Sequence, residues 1–496
     1  MRFSAPWLPC APGWALLALP LLVGCGGGAG DDGSPGADAG VSEEPAVPLA
    51  EIGTYLHMVV PSVVEVGEDL AVKLRVVTQV GLPDYDFDND NPFRIEGRGN
   101  VKFPEPLRLE PKEDGFVVGE GIRFESPGVQ FLRCSVPGDT VRTVANPINV
   151  VREAGNRIYW GDLNGHSDLS SGNRPPAVFF WYAKGVALLD FVALTDNDAW
   201  EGQTLENGRF AEIVETTLSD LEEPGKFVGI PAFEWTSAEY GNRLVYFSDP
   251  PAALPTPAAG YDTPAKLRDA LSPDAVVAIS HPSGSTENYA VDPATVGFED
   301  LVEIYSMVGI FESPATHRAS TQEKPGAAVV DLLAAGWRPG FVANGDSRLT
   351  TPGNPRPIGH GDLPYPGGLT AVLAPELTRE AVLEALRERR CYATTGQRYL
   401  LEFTVDGHQM GSELRVPAGH QADVYGSLGS TTNWVRLEIM GPKGAVAVLT
   451  PEPGQSDVVE LAAKTDPIQE PTWLYVRGVD ESGGMAWSSP VFLLPE

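Results

Sequence analysis

Seven short segments of this chain carry side chains that bind metal or move protons. The first is Asp162-Leu163-Asn164-Gly165-His166-Ser167, where carboxylate, carboxamide and imidazole follow one another two residues apart. The others are Asp196-Asn197-Asp198, Glu234, Asn242 in Gly241-Asn242-Arg243, His281 in Ser280-His281-Pro282, Glu303, and Asp346 in Gly345-Asp346-Ser347-Arg348. Neutral imidazole and carboxylate are the ligands a divalent transition metal takes, and the same groups serve as general acids and bases. Taken singly, a His after a strand more often caps or packs than coordinates. Taken together, these segments share a position, because most of them come directly after an apolar run. One residue is wrong for a metal site from the start: Asn164 stands where a second imidazole is expected, and a carboxamide is a far poorer ligand.

Something must hold these residues at a common face, and the middle of the chain supplies it. From about Asn156 to Gly396 short apolar runs alternate with helical ones. Strands are expected at 157–163, 190–195, 227–230, 244–247, 276–279, 301–305, 341–343 and 369–373, and helices at 175–187, 263–271, 327–335 and 378–390. Prolines sit in the first turn of the helix from Pro175, where a missing N–H costs nothing. Such alternation is the pattern of an α/β barrel or a doubly wound sheet. In a parallel barrel all strand C-termini open on one face, so Asp162, Asn164, His166, Asp196, Asn197, Glu234, His281, Glu303 and Asp346 are expected to converge there.

The blocks on either side read differently. Ala71 to Val77 and Val129 to Cys134 alternate with period two, and turn signals at Gly67, Pro83 and Pro127-Gly128 separate them, which points to an immunoglobulin-like sandwich over 51–152. Strands at 399–405, 434–440 and 473–477 point to a second β-sandwich over 398–496, leaving 153–397 for the α/β block.

The chemistry-bearing residues lie in segments that resemble the PHP domain, the polymerase and histidinol phosphatase superfamily. These are 161–167, Leu189 to Asn197, Ala278 to Pro282, Val302 to Tyr305, Gly345 to Arg348 and Arg389 to Gly396, the last with Tyr392-Ala393-Thr394-Thr395-Gly396, which is similar to an uncharacterised exported branch. The resemblance covers roughly 155 to 410. It implies a distorted (β/α)7 barrel and metal-dependent hydrolysis, usually of phosphoesters, by two or three metals that clamp attacking and leaving oxygens. Carried over residue by residue, His166, Glu234, His281 and Asp346 are kept as metal ligands. Asn164, Ser171, Asn197, Asn242 and Arg348 depart from the pattern. Three of these changes put carboxamide where imidazole is implied, and Arg348 puts a fixed cation where a metal is implied. At most one divalent ion (Zn, Mn or Fe) is then expected. A carboxylate, phosphate or sugar-like small molecule suits Arg348 better.

Asp84 to Asn91 presents alternate carboxylates, but Asn89 occupies the place of the EF-hand glycine and no acid falls at Ile95, so a solvated acidic turn is the better reading. There is no Gly-rich phosphate loop and no Gly-x-Ser-x-Gly elbow.

Residues 1–24 read as an export signal: Arg2, an apolar run from Trp14 to Val23 too short to span a bilayer, then Leu22-Val23-Gly24-Cys25. That ending resembles a lipobox, which implies lipidation of Cys25 and a membrane held through that anchor. Residues 25–50 are a tether too poor in large apolar side chains to fold. With Gly26 rather than Asp after the anchor, the bacterial cell envelope, and its outer membrane, is the expected location. Cys134 and Cys391 are then expected as buried thiols. A formal net charge of -32, from 67 acidic and 35 basic residues, argues against nucleic acid as a partner.

The resulting expectation is an exported lipoprotein with a degenerate PHP-like site that binds a ligand or works weakly. A mononuclear metal-dependent hydrolase and a surface adhesion or assembly scaffold are the alternatives.

Overall fold

The computed structural model describes residues 54–496 apart from 86, 88–92, 98–99, 104–115, 137–140, 219–220, 284–296, 315–325, 356–364 and 455. Cys25, the export signal, the tether and most of the acidic segment 84–91 lie outside the described residues. Ile52–Glu496 forms one compact unit.

Strands dominate this unit and helices are few. In the first block, Thr54–Val59, Leu70–Thr78, Phe116–Phe124 and Val101–Lys102 make a four-stranded sheet, with two three-stranded sheets beside it. The period-two reading holds in the longest of these strands: Leu70, Val72, Leu74 and Val76 are all at most 1% exposed. The run at 129–134 is not one strand. It breaks at Phe131 into Gly128–Gln130 and Leu132–Ser135, which pair in different sheets. Cys134 and Cys391 are both free and buried, and burial pushes each thiol up to about 12.

The middle block departs from the expected (β/α)7 barrel. Two parallel triplets are present: Arg157–Asp162 with Phe191–Ala193 and Val228–Ile230, and Val276–Ile279 with Leu301–Ser306 and Gly340–Ala343. Antiparallel strands interrupt them. Ala232–Trp235 pairs with Arg243–Tyr246, which pairs with Val276–Ile279. On the other sheet Leu369–Ala374 runs antiparallel to both Arg157–Asp162 and Cys391–Thr394. The reason is connection length, since a parallel crossover needs about a dozen residues or more and residues 236–242 supply only a hairpin turn.

The four expected helices form as Pro176–Gly185, Pro264–Ala270, Val329–Ala334 and Arg379–Arg387. Thr263 and Thr378 cap two of them through their hydroxyls. Asn207–Glu212, running on into a π-helical turn at Ile213–Leu218, was not foreseen.

The sheet that carries Arg157–Asp162 does not end at residue 397. Cys391–Thr394 pairs with Met485–Ser488, and the ladder continues through Thr472–Asp480 and Trp434–Gly441 to Gly444–Leu449. A buried ion cluster fastens this extension. Glu312, 1% exposed, accepts from Arg477 at 2.8 Å on both oxygens, from Tyr475 Oη at 2.5 Å and from Trp487 Nε1 at 3.0 Å. Arg477 also reaches Glu438 at 2.6 Å. Removing one member of such a cluster strands the others without partners. Glu312→Ala is therefore expected to cost about 3 to 5 kcal/mol in guanidinium unfolding, whereas a loss below about 1 kcal/mol would show that the cluster is solvated.

The first block docks against the middle block through polar contacts. Trp160 Nε1 donates to Ser62 Oγ, Tyr182 Oη to the Gly81 carbonyl, and Arg157 to the Val63 carbonyl and Glu68. His57 Nε2 donates to the Ala187 carbonyl at 3.1 Å, which also accepts from Arg398 at 2.9 Å. Burial, helped by the Arg398 charge, lowers His57 from its ordinary 6.5 to about 3. Because the folded-state value lies below the unfolded one, proton uptake favours unfolding, and stability is lost as pH falls from 6.5 toward 3. The wild-type chain should lose about 2 to 3 kcal/mol more than His57→Gln between pH 6.5 and 4.5, read from paired urea melts.

Candidate functional site

The four residues kept from the metal pattern do meet. His166 Nε2 lies 3.0 Å from Asp346 Oδ1 and 3.8 Å from Glu234 Oε2. His281 Nε2 lies 3.5 Å from Asp346 Oδ2, and its Nδ1 is 2.9 Å from Glu303 Oε2. All five side chains are nearly inaccessible, from 0% for Glu303 to 6% for His281. One carboxylate thus stands between two imidazoles, with Glu234 on the same nitrogen of His166 and Glu303 on the far nitrogen of His281. His166, His281 and Asp346 follow the ends of their strands as expected, but Glu234 and Glu303 do not. Glu234 lies inside Ala232–Trp235, a strand of its own beyond Pro231, and Glu303 inside Leu301–Ser306.

Two of the residues hold unusual backbones. His281 has φ 47° and Asp346 φ 48°, the left-handed region that costs a non-glycine residue on the order of 1–3 kcal/mol. Asp346 is held there by its N–H, which donates to the Asn164 carbonyl at 2.8 Å. Such strain gathers where a fold keeps a side chain aimed for a purpose.

The carboxamides are in the site, and they are spent on carboxylates. Asn197 Nδ2 donates to Glu234 Oε2 at 2.7 Å and Asn242 Nδ2 to Glu234 Oε1 at 2.8 Å. Asn164 Nδ2 and Asn344 Nδ2 both donate to Glu303 Oε1, at 3.3 and 3.0 Å. Three of the amide oxygens face away: that of Asn164 accepts from Thr195 Oγ1 at 3.0 Å, that of Asn242 from the Ser237 N–H at 3.1 Å and that of Asn344 from the Leu163 N–H at 3.0 Å. The N–H ends therefore face the carboxylates.

Three acids expected at this face do other work. Asp162 accepts from the N–H groups of Gly345, Gly353 and Asn164, at 2.9, 2.9 and 3.2 Å. Gly345 has to be glycine, since a Cβ there would come within 2.5 Å of Asp162 Oδ2. Burial pushes Asp162 up to about 7. Asp196 takes the Ser167 N–H at 2.8 Å and the hydroxyls of Ser167 and Ser170, both at 2.6 Å. Asp198 accepts from the Thr236 N–H at 2.6 Å, and burial raises it to about 6. Ser170 also lies 3.4 Å from His166 Nδ1, but its proton is committed to Asp196, so this is no activated nucleophile.

Ser171 is half-buried and makes no bond to the cluster, so the structure does not bring it in. Arg348 is half-buried with its guanidinium over the Trp200 ring, 5.5 Å from the centroid. Sequence reasoning missed Asn344, Thr195 and Ser280. Asn344 was visible as the first polar residue after Phe341-Val342-Ala343, whereas Thr195 and Ser280 look like ordinary strand-end residues until their partners are known.

Burial pushes Glu234 up to about 7 against the pull of His166 and His281. For both histidines burial works downward, but the facing carboxylates outweigh it and raise them, Asp346 foremost at His166 and Glu303 at His281. Burial alone would raise Asp346. The hydrogen bond from His166 and the nearby charges of His281 and Arg348 hold it far below the usual carboxylate range instead.

Among the described residues no three His, Cys, Asp or Glu side chains frame a metal ion as they stand. A centre of two or three metals does not fit this donor set: Glu234 is capped on both oxygens and Glu303 on one by amide N–H groups, and Arg348 adds a cation.

A family model described as a protein of unknown function, DUF3604, matches residues 357–416. An uncharacterised protein of Chlamydia trachomatis is 26% identical over 411 residues, covering 77% of this chain and 64% of the relative. A second, from Chlamydia muridarum, is 26% identical over 414 residues with the same coverage. The aligned chain thus spans 64% of the length of these relatives. Among solved structures, a two-domain protein from Bacteroides vulgatus containing a predicted PHP-like metal-dependent phosphoesterase overlaps 66% of this chain and 92% of its own, at 14% identity and a TM-score of 0.35.

The two amides on Glu234 give a direct test. Asn197→Ala and Asn242→Ala should each cost about 1.5 to 3 kcal/mol in chemical unfolding at pH 8. The double variant should cost less than the sum, because Glu234 takes up a proton once both donors are gone. Strictly additive losses would show that it stays charged.

Proposed function

We propose that this chain is an envelope lipoprotein, anchored through Cys25, whose PHP-like site has lost its multinuclear metal centre. The site binds an anionic or sugar-like small molecule at the strand ends with little or no hydrolysis. The observation that carries this reading is the use of Asn164, Asn197, Asn242 and Asn344 as donors to Glu234 and Glu303. A metal balances the charge of such carboxylates in a hydrolase, and here amide N–H groups hydrogen-bond to them in its place. Arg348 points the same way, since a guanidinium repels a metal ion and matches an anion.

A second reading keeps one divalent ion on His166, Glu234, His281 and Asp346. Its support is that both Nε2 atoms face the Asp346 carboxylate, whose Oδ2 has no hydrogen-bond partner. A bound ion would supply Lewis-acid chemistry and a nucleophilic water, and the ion pairs would have to part to admit it.

Metal analysis and a hydrolysis panel separate the two. The protein purified without chelator is expected to carry well under one Zn, Mn or Fe per chain. It should leave phosphomonoesters and phosphodiesters intact with added Mn or Zn. Arg348→His alone should restore nothing, and joint replacement of Asn164, Asn197, Asn242 and Arg348 by His with Ser171→Asp is the change that could. One metal per chain, lost in His281→Ala, together with hydrolysis by the unmodified protein, would establish the second reading in place of the first.

A further inference from the structure

Four polar atoms on the segments around this cluster are buried without a hydrogen-bond partner among the described residues: Asp346 Oδ2, which faces the His281 ring at 3.5 Å, Asn197 Oδ1, Ser283 Oγ and Arg348 Nε. They come from three separate segments. Asn197, Asp346 and Ser283 are 4%, 2% and 2% exposed. An unmet polar atom in such a place costs about 1–3 kcal/mol, and native folds keep few of them. Asn197 and Asp346 belong to one continuous set of contacts. Asn197 donates to Glu234, Glu234 lies 3.8 Å from His166, and His166 lies 3.0 Å from Asp346. Arg348 is two residues further on and close enough for its charge to act on Asp346.

The unmet atoms specify what would satisfy them. Asn197 Oδ1 and Asp346 Oδ2 accept only, so the ligand must bring O–H or N–H donors. Arg348 Nε donates only, so the same ligand must bring an acceptor, and a guanidinium fork suits a planar carboxylate. A phosphate group by itself brings acceptors only and would leave Asn197 and Asp346 unmet. In a sugar monophosphate, which does bring hydroxyls, the second negative charge of the phosphate would face Asp346, Glu234 and Glu303. A neutral sugar brings hydroxyls but gives Arg348 no anion.

We infer that the strand-end site takes a polyhydroxylated carboxylate, its carboxylate on Arg348 beside Trp200 and its hydroxyls on Asn197 Oδ1 and Asp346 Oδ2. This rests on the reading of the site as a ligand site rather than a hydrolase.

Calorimetric titration of the purified full chain with D-gluconate, D-glucose and D-glucose 6-phosphate tests it. Gluconate is expected to bind at least about tenfold more tightly than either of the others, a gap of about 1.4 kcal/mol. Arg348→Gln, checked for folding by its circular dichroism melt, should bring gluconate down to the affinity of glucose. Arg348→Lys, which keeps the charge without the fork, should recover part of the difference. Equal or tighter binding of the sugar phosphate, or no binding of gluconate, overturns the inference. If the protein is also metal-poor and inert toward phosphoesters, only the ligand class falls. If it hydrolyses them, the underlying reading falls as well.

Discussion

Burying many carboxylates in one layer of strand ends is the constraint on which this part of the molecule depends. Asp162, Asp196, Asp198, Glu234, Glu303 and Asp346 are all nearly inaccessible, and each needs donors or countercharge to stay there. The chain meets the need in three ways. Backbone N–H groups serve Asp162 and Asp198 and, with the hydroxyls of Ser167 and Ser170, Asp196. Amide side chains serve Glu234 and Glu303. The imidazoles of His166 and His281 serve Asp346. Much of the local geometry follows from that division, including the glycine at 345 and the left-handed turn at 346.

The division also separates framework from working surface. An acid that accepts three backbone N–H groups, as Asp162 does, is a staple between the first strand and the segment after Gly340–Ala343. An acid flanked by two imidazoles with one oxygen unmet, as Asp346 is, has capacity left over. The same residue type at neighbouring strand ends therefore does two different jobs, and the hydrogen-bond partners decide which.

That distinction is where the sequence stopped being legible. The strands were readable because apolar runs such as Val276 to Ile279 leave little choice, and the four main helices because of their prolines, caps and apolar faces. Glu234 reaches the cluster from inside a strand, whereas the convergence of His166, His281 and Asp346 followed from position. Strand direction did not, because the pattern of Ala232–Trp235 and Arg243–Tyr246 is that of any buried strand, and only the short link between them makes the pair antiparallel. The carboxamides were visible as departures from a metal pattern. What they do instead depends on Asn344 and Glu303, residues more than a hundred positions from Asn164, and no spacing rule reaches that far.

The ladder from Arg157–Asp162 through Cys391–Thr394 into Met485–Ser488 has a consequence for how such a chain evolves. Domains joined by a flexible linker can be shuffled, lost or duplicated with little penalty. Here the seam is itself a run of paired strands, so cutting it would bare an edge ready to pair with any other chain. The C-terminal strands are thus inherited with the site-bearing sheet as one piece, and variation is freer in the loops above the strand ends than in the order of the blocks.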